Sequence, residues 1–273
     1  MQNFSATPLE MVASLWRHRS LIHASAKREV LGRYRGSALG LLWSFFNPLF
    51  MLAVYTFVFS VIFQARWSTD GSGSKTEFAL LLFAGLIMFN LFAECINRAP
   101  TLILTNANYV KKVVFPLEIL PFVGLLSALY HGLISLLVWL AAYVLFYGVP
   151  QATVLYLPLV VVPFALFIMG LSWALASLGV FLRDVAQFIG VITMSMMFLS
   201  PVFYPASALP EAYRHLLFIN PVTPAIEIAR DVLYWGKAPN CAMLSIYYAA
   251  TLAIAWLGFA WFQKTRKGFA DVL

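Results

Sequence analysis

Long apolar runs, separated by charged residues and by glycine and proline, dominate the chain. A hydrocarbon core about 30 Å thick needs roughly 20 apolar residues per helix, and several charge-free runs reach that length. The pattern therefore predicts an all-α membrane protein with six spanning helices. The expected spans are residues 38–63, 78–97, 119–147, 154–182, 185–204 and 241–262. The second is the least regular, because Glu94, Asn97 and Arg98 follow its apolar part within two turns.

The region before the first span, residues 1–36, contains an amphipathic pattern. Ile22, Ala26, Val30 and Tyr34 recur every fourth residue, and basic residues cover the remaining faces of the same helix. We expect this interface helix to lie in the cytoplasmic headgroup layer, where anionic lipid attracts its basic side. Gly32, Gly36 and Gly40 also recur every fourth residue. This spacing suits close helix packing and a bend between helices equally well.

The segment between the second and third spans, residues 101–116, is bounded by Pro100 and Pro116. Its polar and basic residues predict a short helix at the cytoplasmic surface, on which a soluble partner could act. An ordinary basic loop explains the same residues, and the pattern alone favours that simpler interpretation.

The segment between the fifth and sixth spans, residues 205–240, is expected on the outer side and contains two short helical patterns. In the second, Thr223 is the expected N-cap, Pro224 suits the first helical position and Gly236 ends the helix. Neither helix is long enough to span a membrane. Together they form either an outer gate, on or within the outer leaflet, or a solvated loop with helical character.

The positions of Lys and Arg set the orientation, because cytoplasmic loops carry an excess of both. With both termini in the cytoplasm, thirteen of the 18 basic residues fall on the cytoplasmic side and five outside. The composition, 62% hydrophobic and only 11% charged, excludes a soluble globular protein, in which about a quarter of residues are charged. The net charge of +7 then reflects topology and attraction to anionic membrane lipid, with no nucleic-acid partner expected.

We therefore expect a multi-pass inner-membrane protein. The first apolar run begins at Ala38 and is long enough to span, so no cleaved signal peptide is expected. Cys95 and Cys241 are expected at opposite faces of the membrane, where they cannot pair within one chain.

The sequence offers little catalytic chemistry. It contains no His-Glu-x-x-His metal motif, no Gly-x-Ser-x-Gly elbow and no Gly-x-x-x-x-Gly-Lys-Ser/Thr phosphate-binding loop. We expect no enzyme activity, metal or cofactor on this chain, and any ATP and Mg²⁺ would be bound by a separate ATPase subunit. The competing hypothesis is an intramembrane enzyme that uses His131, although a contact with a neighbouring helix explains this residue more simply.

Two further groups have alternative interpretations. Trp43, Phe46, Phe50 and Phe57 fall within about 60° of one another on a helical wheel, where they could guide the C–H faces of sugars. Such aromatic faces more commonly contact lipid or other helices. The adjacent pair Arg183-Asp184, at the turn between the fourth and fifth spans, could neutralise itself, cap a helix or take part in gating.

Several short motifs occur in a specific order along nearly the whole chain. They are Lys27–Arg35 running into Gly40–Trp43 and Asn47-Pro48, then Asn108–Pro116, Arg183-Asp184 and Ser200–Tyr204, followed by Leu209-Pro210, Asn220-Pro221 and Arg230. In these motifs the chain resembles the membrane subunits of bacterial ABC transporters of the type-2 export class, specifically their polysaccharide branch.

The resemblance implies that two copies of the chain pair around a central channel and dock two copies of an ABC nucleotide-binding subunit. The implied cargo is a lipid-linked polysaccharide moved from cytoplasm to periplasm. Lipopolysaccharide O-antigen is favoured over capsular polysaccharide and teichoic acid, and a type-2 permease for a drug or lipid is the runner-up.

The resemblance also implies roles for individual residues. A substrate path would be lined by the aromatic face of Trp43, Phe46, Phe50 and Phe57. Coupling to the ATPase would involve Asn108, Tyr109, Lys111 and Lys112. Gate or structural roles would belong to Arg183, Asp184, Pro201, Tyr204 and Arg230.

Overall fold

The computed structural model describes residues 5–62, 67, 74–111, 115–211, 213, 217 and 220–273, and no strand occurs in these ranges. In chain order the α-helices are α1 (Pro8–Arg17), α2 (Arg19–Arg33), α3 (Trp43–Tyr55), α4 (Lys75–Arg98), α5 (Leu102–Thr105), α6 (Ala107–Lys111), α7 (Leu120–Tyr147), α8 (Leu157–Phe181), α9 (Val185–Leu199), α10 (Thr223–Arg230), α11 (Cys241–Thr265) and α12 (Phe269–Val272). The 3₁₀ and π segments of the described ranges are Gly40–Leu42, Thr56–Ile62, Ala99–Thr101, Leu117–Ile119, Ala152–Tyr156, Ala206–Ala208, Asp231–Trp235 and Arg266–Gly268.

Five helical stretches of the described chain are long and apolar enough to cross a membrane. They are Gly40–Phe59, Lys75–Thr105, Leu117–Tyr147, Ala152–Phe181 and Cys241–Val272. These stretches coincide with five of the six segments that the apolar pattern indicates. The protein is thus an all-helical, multi-pass membrane protein.

The fifth expected span, residues 185–204, is shorter in the structure than the pattern indicates. Helix α9 ends at Leu199, and its 15 residues extend about 22 Å, less than the hydrocarbon core. Ser200 adopts extended backbone as the C-cap, and the chain then turns. The expected end at Tyr204 is wrong because the residues after Pro201 are apolar without being helical.

The N-terminal region contains two helices where the pattern identified one. Thr7 caps α1, its hydroxyl accepting a hydrogen bond from the Glu10 N–H at 3.2 Å, and Pro8 occupies the first turn. In α2, the expected apolar face packs on α7, with Ile22 and Ala26 among the residues that contact it. This face of the helix therefore covers protein.

Helix α4 is the centre of the bundle, and the first spanning helix is its least covered member. In their most apolar eighteen-residue windows, 83% of the residues of α4 are buried, against 6% for the stretch that includes α3. Helices α8 and α11 pack closely through glycine, because a side chain at Gly258 would collide with the backbone carbonyl of Gly170.

The two ends of the described chain meet at the same end of the bundle. The buried carboxylate of Glu118, just before α7, accepts a hydrogen bond from the Ser14 hydroxyl of α1 at 2.9 Å. The same carboxylate pairs with Arg266, which directly follows α11, at 2.6 Å. Helix α1 and the end of α11 therefore lie beside the beginning of α7.

Candidate functional site

A polar cavity of about 490 Å³ lies between α3, α4 and α7, next to the end of α2. One face of α3 contributes Ser44, Asn47 and Pro48 to its wall, and α4 contributes Asn90 and other polar residues. Polar groups inside a membrane protein are costly unless they are partnered, and they commonly mark functional sites. This cavity is the main concentration of polar side chains within the described bundle, and we take it as the candidate functional site.

Glu94 of α4 joins three elements at the edge of this cavity. Its carboxylate pairs with Arg33 Nη2 of α2 at 2.6 Å and lies 3.1 Å from Nδ1 of His131 in α7. The prediction that a neighbouring helix satisfies His131 is confirmed for Nδ1. Its Nε2 is buried without a partner among the described residues. The cluster links an interface helix to two spanning helices.

Two more contacts join α2 to the end of α4 and to the segment that follows it. Arg98, the last residue of α4, pairs with Glu29 at 2.6 Å. The Arg28 guanidinium donates a hydrogen bond to the Tyr109 hydroxyl of α6 at 3.0 Å. Together with the Arg33–Glu94 pair, these contacts hold α2 against α4 and α6.

The expected coupling residues differ in how far they are buried. Tyr109 is half-buried, and its ring stacks on Phe115 with centroids 4.3 Å apart. Asn108 is exposed on α6. The Lys111 side chain and the whole of Lys112 lie outside the part of the chain that the structure describes. Residues 101–111 of this segment are largely helical, as one of the two interpretations expected, and Tyr109 packs this part against Phe115.

The aromatic face of the first spanning helix is largely uncovered. Trp43, Phe46 and Phe50 of α3 are exposed, Phe50 with 65% of its surface accessible, and so is Phe57 in the following π segment. Ser44, Asn47, Pro48 and Met51, which line the polar cavity, occupy a different face of α3, roughly a third of a turn away. The helix therefore presents polar groups to the cavity and aromatic rings outward.

Arg230 is the most completely buried charge of the described chain, with 1% of its surface exposed. Its guanidinium donates to the carbonyls of Leu81 and Val202, both at 2.8 Å, and to the carbonyl of Pro201. It also pairs with Glu227 at 3.1 Å and lies 4.3 Å from the centre of the Trp67 ring. These partners replace the water that a buried guanidinium loses.

The carbonyl of Leu81 binds the guanidinium, and Gly85 lies directly against it. These two contacts place Arg230 well inside the bundle. Leu81 and Gly85 lie six and ten residues from the start of α4 at Lys75, or about 9 and 15 Å along the axis. Helix α10 is therefore packed among the spanning helices and is not a solvated loop. Its N-cap is Val222 rather than the expected Thr223, whereas Gly236 ends the following π segment with φ 64° as expected.

The remaining gate candidates have simpler surroundings. Arg183 and Asp184 are both exposed, and no ion pair joins these two described residues. Asp184 occupies the N-cap of α9, but its side chain makes no capping hydrogen bond there. The Tyr204 hydroxyl donates to the carbonyl of Phe198 at 3.2 Å, which closes the turn after α9. Pro201 acts through its carbonyl, which accepts from Arg230.

Several residues of these sites escaped the sequence interpretation. Phe203 stacks on Phe59 of the first span at 5.2 Å, and Trp67 covers Arg230. Gly85 leaves the space that the guanidinium fills. A glycine and an aromatic residue in apolar surroundings carry no periodic signal, so only the folded arrangement identifies them. In contrast, the sequence shows that Arg28, Glu29 and Arg33 are charged, but it does not indicate which residues they contact.

The described residues form a helical multi-pass bundle with a polar cavity between α3, α4 and α7. The chain belongs to the ABC-2 type transporter family, whose sequence profile matches residues 20–234. The match runs from α2 through the π segment after α10.

Similar proteins cover almost the whole chain. The O-antigen export system permease protein RfbA of Myxococcus xanthus is 26% identical over 265 residues, which is 96% of this chain and 99% of that protein. Two Klebsiella pneumoniae proteins of the same name are each 26% identical over 255 residues, which is 93% of this chain and 95% of theirs.

Proposed function

We propose that this chain is the membrane subunit of an ATP-driven exporter that moves a lipid-linked polysaccharide, an O-antigen, from cytoplasm to periplasm. The observation that carries the proposal is the end-to-end similarity to O-antigen export permeases, which includes the segment after residue 234 that the family profile leaves unmatched. A separate ABC ATPase would bind ATP and Mg²⁺, and this chain would bind no cofactor of its own.

We propose six membrane crossings with both termini in the cytoplasm. The contacts of Glu118 with Ser14 and Arg266 support an even number of crossings, because they bring both ends of the described chain to one end of the bundle. Five long helices then require a sixth crossing, and within the described ranges α9 followed by its turn is the remaining apolar candidate. The excess of Lys and Arg at the end with the termini supports a cytoplasmic location for that end.

We propose the helices that follow residue 205 as an outer gate. The burial of Arg230 about 9 to 15 Å along α4 supports a segment that enters the membrane and returns to the same side. Carbonyls within α4 and in the turn after α9 bind this guanidinium, so α10 would move together with both helices. The first of the two expected outer helices lies mostly outside the described residues.

We propose that Asn108, Tyr109, Lys111 and Lys112 belong to the surface that docks the ATPase. The hydrogen bond from Arg28 to Tyr109 supports transmission to α2, and the Arg33–Glu94 pair supports transmission onward to the spanning helices. The interface region, residues 1–36, would then transmit movement of the docking surface to the helices that line the cavity.

We propose that two copies of the chain form the export path, with the aromatic face of α3 turned toward it. The 6% burial in the window that includes α3 leaves this helix available to a second copy or to substrate. Exposed rings of Trp43, Phe46, Phe50 and Phe57 suit the C–H faces of sugars.

The proposal is tested by deleting the gene and analysing surface glycans on gels, with complementation by the wild-type gene as the control. Long O-antigen should disappear and return on complementation. Purification of the tagged chain from its native membrane should also recover an ATP-binding subunit. Intact glycan together with increased drug sensitivity would overturn the polysaccharide assignment in favour of a drug or lipid permease. Loss of capsule with intact O-antigen would show that the cargo is capsular polysaccharide.

A further inference from the structure

Two apolar grooves lie side by side where α2 packs on the spanning helices. The first, about 430 Å³, is bounded by α1, α2, α7 and α8, and its walls include Leu15, Phe122 and Met169. The second, about 450 Å³, lies between α2 and α7 and includes Val30 and Tyr130. Leu126 and His23 line both grooves, so the two form one cleft with a shared central wall.

A row of basic residues follows the rim of this cleft. Arg19, His23 and Lys27 recur every fourth residue along α2, which places them on one side of the helix. Arg19 lines the first groove, Lys27 lines the second and His23 lines both. All three are exposed. The cleft therefore combines apolar walls with a basic edge.

The positive charge of this row is not neutralised by the described part of the N-terminal region. Its two acidic residues are engaged elsewhere, Glu10 with Arg17 at 3.1 Å and Glu29 with Arg98 at 2.6 Å. Arg19 donates to the carbonyl of Trp16 at 3.2 Å and lies 5.1 Å from the centre of its ring, a contact that leaves its charge uncompensated. Two other arginines of α2 contact protein: Arg28 binds the Tyr109 hydroxyl, and Arg33 pairs with Glu94.

The depth of the cleft agrees with the edge of the hydrocarbon core. Leu166 and Met169 of α8 line the first groove, and they lie 14 and 17 residues from Ala152, where this stretch begins at the far end of the bundle. That separation corresponds to roughly 20 to 25 Å along a helix. In a core about 30 Å thick it places the groove near the boundary with the headgroups.

We propose that this cleft binds a membrane glycerophospholipid with an anionic headgroup. Its phosphate would lie on the row of Arg19, His23 and Lys27, and its two acyl chains would occupy the two grooves on either side of Leu126. Anionic lipid adds favourable electrostatic energy for each basic residue at the surface, which explains why an exposed row without carboxylate partners borders an apolar cleft. The site does not depend on what the protein exports.

The two-groove shape favours a phospholipid over a polyprenyl-linked glycan, because a polyprenyl carrier offers one chain and would leave one groove empty. Bound lipid would also fix the position of α1 and α2 against α7, in addition to the contacts of Arg28 and Arg33. The cleft would thereby make the position of the interface region sensitive to membrane composition.

The test measures lipid binding to the purified full-length chain by native mass spectrometry, with phosphatidylglycerol and phosphatidylcholine as probes. Phosphatidylglycerol should bind in preference to phosphatidylcholine. The variant R19Q/H23Q/K27Q should bind phosphatidylglycerol at least about tenfold more weakly. The matched control R17Q/R35Q removes two basic residues of the same region that line neither groove, and it should bind nearly as wild type.

A second variant tests the apolar walls. Leu126→Trp fills the shared wall and should reduce retention of both lipids, whereas Leu133→Trp, on the same helix and outside the grooves, should not. Equal binding of the two lipids, or equal losses in the row variant and its control, would overturn the proposal. Displacement of phosphatidylglycerol by equimolar undecaprenyl phosphate, with the same dependence on the basic row, would also overturn it, since the cleft would then belong to a polyprenyl carrier.

Discussion

The guanidinium of Arg230 occupies the space that a side chain at Gly85 would fill. A Cβ atom built on Gly85 would lie 2.5 Å from Nη2 of Arg230, closer than Cβ contacts in folded proteins permit. This arginine binds backbone carbonyls on both sides, at Leu81 of α4 and at Val202 after α9. The burial of Arg230 in α10 thus requires a glycine at position 85 of α4.

The first prediction concerns this pair. Gly85→Ala should displace the guanidinium and destabilise the protein by about 1–3 kcal/mol, because buried carbonyls lose their donor. Arg230→Leu should cost at least as much, since Leu81, Pro201 and Val202 would all be left with unpaired carbonyls. The measurement is the thermal unfolding midpoint of the purified protein in detergent, together with export in cells.

The matched control is Gly124→Ala in α7, where a new Cβ would meet nothing within 4 Å. It should leave the unfolding midpoint unchanged or raise it slightly, because alanine favours helix over glycine. Equal unfolding midpoints for Gly85→Ala and Gly124→Ala would show that Arg230 does not need the space above Gly85.

Much of the helical architecture was available from the sequence because membrane helices depend on long apolar runs. The runs that contain α4, α7, α8 and α11 are bounded by charges or by Gly and Pro, and the structure has helices there. The predicted end of the fifth span at Tyr204 was wrong, because the apolar residues continue past Pro201 whereas α9 ends at Leu199. Helix α1 was missed although Thr7, Pro8 and Glu10 form a recognisable start.

The polar contacts could not be predicted in the same way. Arg33, Glu94 and His131 are distant in sequence, and each looks like an isolated charge or imidazole near a helix end. Their association depends on how α2 packs between α4 and α7, which no local periodicity determines. Arg230 was identified as a gate or structural residue only through a resemblance, and its partners are backbone carbonyls that carry no sequence signal.

The second prediction concerns the Glu94 cluster. Glu94→Gln keeps the size of the side chain but removes the negative charge that Arg33 and His131 share. Because Glu94 is mostly buried, we expect a loss of about 1–3 kcal/mol in stability and slower export. Glu10→Gln is the control, since its pair with Arg17 is exposed and should contribute less than about 1 kcal/mol. Normal export by Glu94→Gln at normal protein levels would exclude a role in coupling.

The third prediction separates docking from transmission at Tyr109. Tyr109→Phe removes the hydroxyl that accepts from Arg28 but keeps the stacking on Phe115. We expect normal recovery of the ATPase subunit in pull-down experiments but less export per ATP hydrolysed. Triple replacement of Tyr109, Lys111 and Lys112 by Ala should reduce docking itself. The control Tyr156→Phe, at the other end of the bundle, should change neither quantity, and unchanged coupling in Tyr109→Phe would reject the proposed transmission.

The fourth prediction tests the topology with the two native cysteines. Cys241 is exposed at the start of α11, whereas Cys95 is buried in α4. A membrane-impermeant maleimide added to spheroplasts should label the wild-type protein and should not label Cys241→Ser. Labelling of Cys241 only after the membrane is permeabilised would place the start of α11 in the cytoplasm and contradict the proposed orientation.

The fifth prediction concerns the aromatic face of α3. If this face guides glycan, Trp43→Ala combined with Phe50→Ala should slow export several-fold while the complex with the ATPase still assembles. Both rings are exposed, so their removal leaves no cavity in the bundle, and the unfolding midpoint should change little. Phe146→Ala, at an exposed aromatic position of α7, is the matched control for general loss of membrane contact. Pulse-labelled glycan appearing at the surface measures the rate, and equal rates in the double variant and the control would show that the rings of α3 contact lipid rather than substrate.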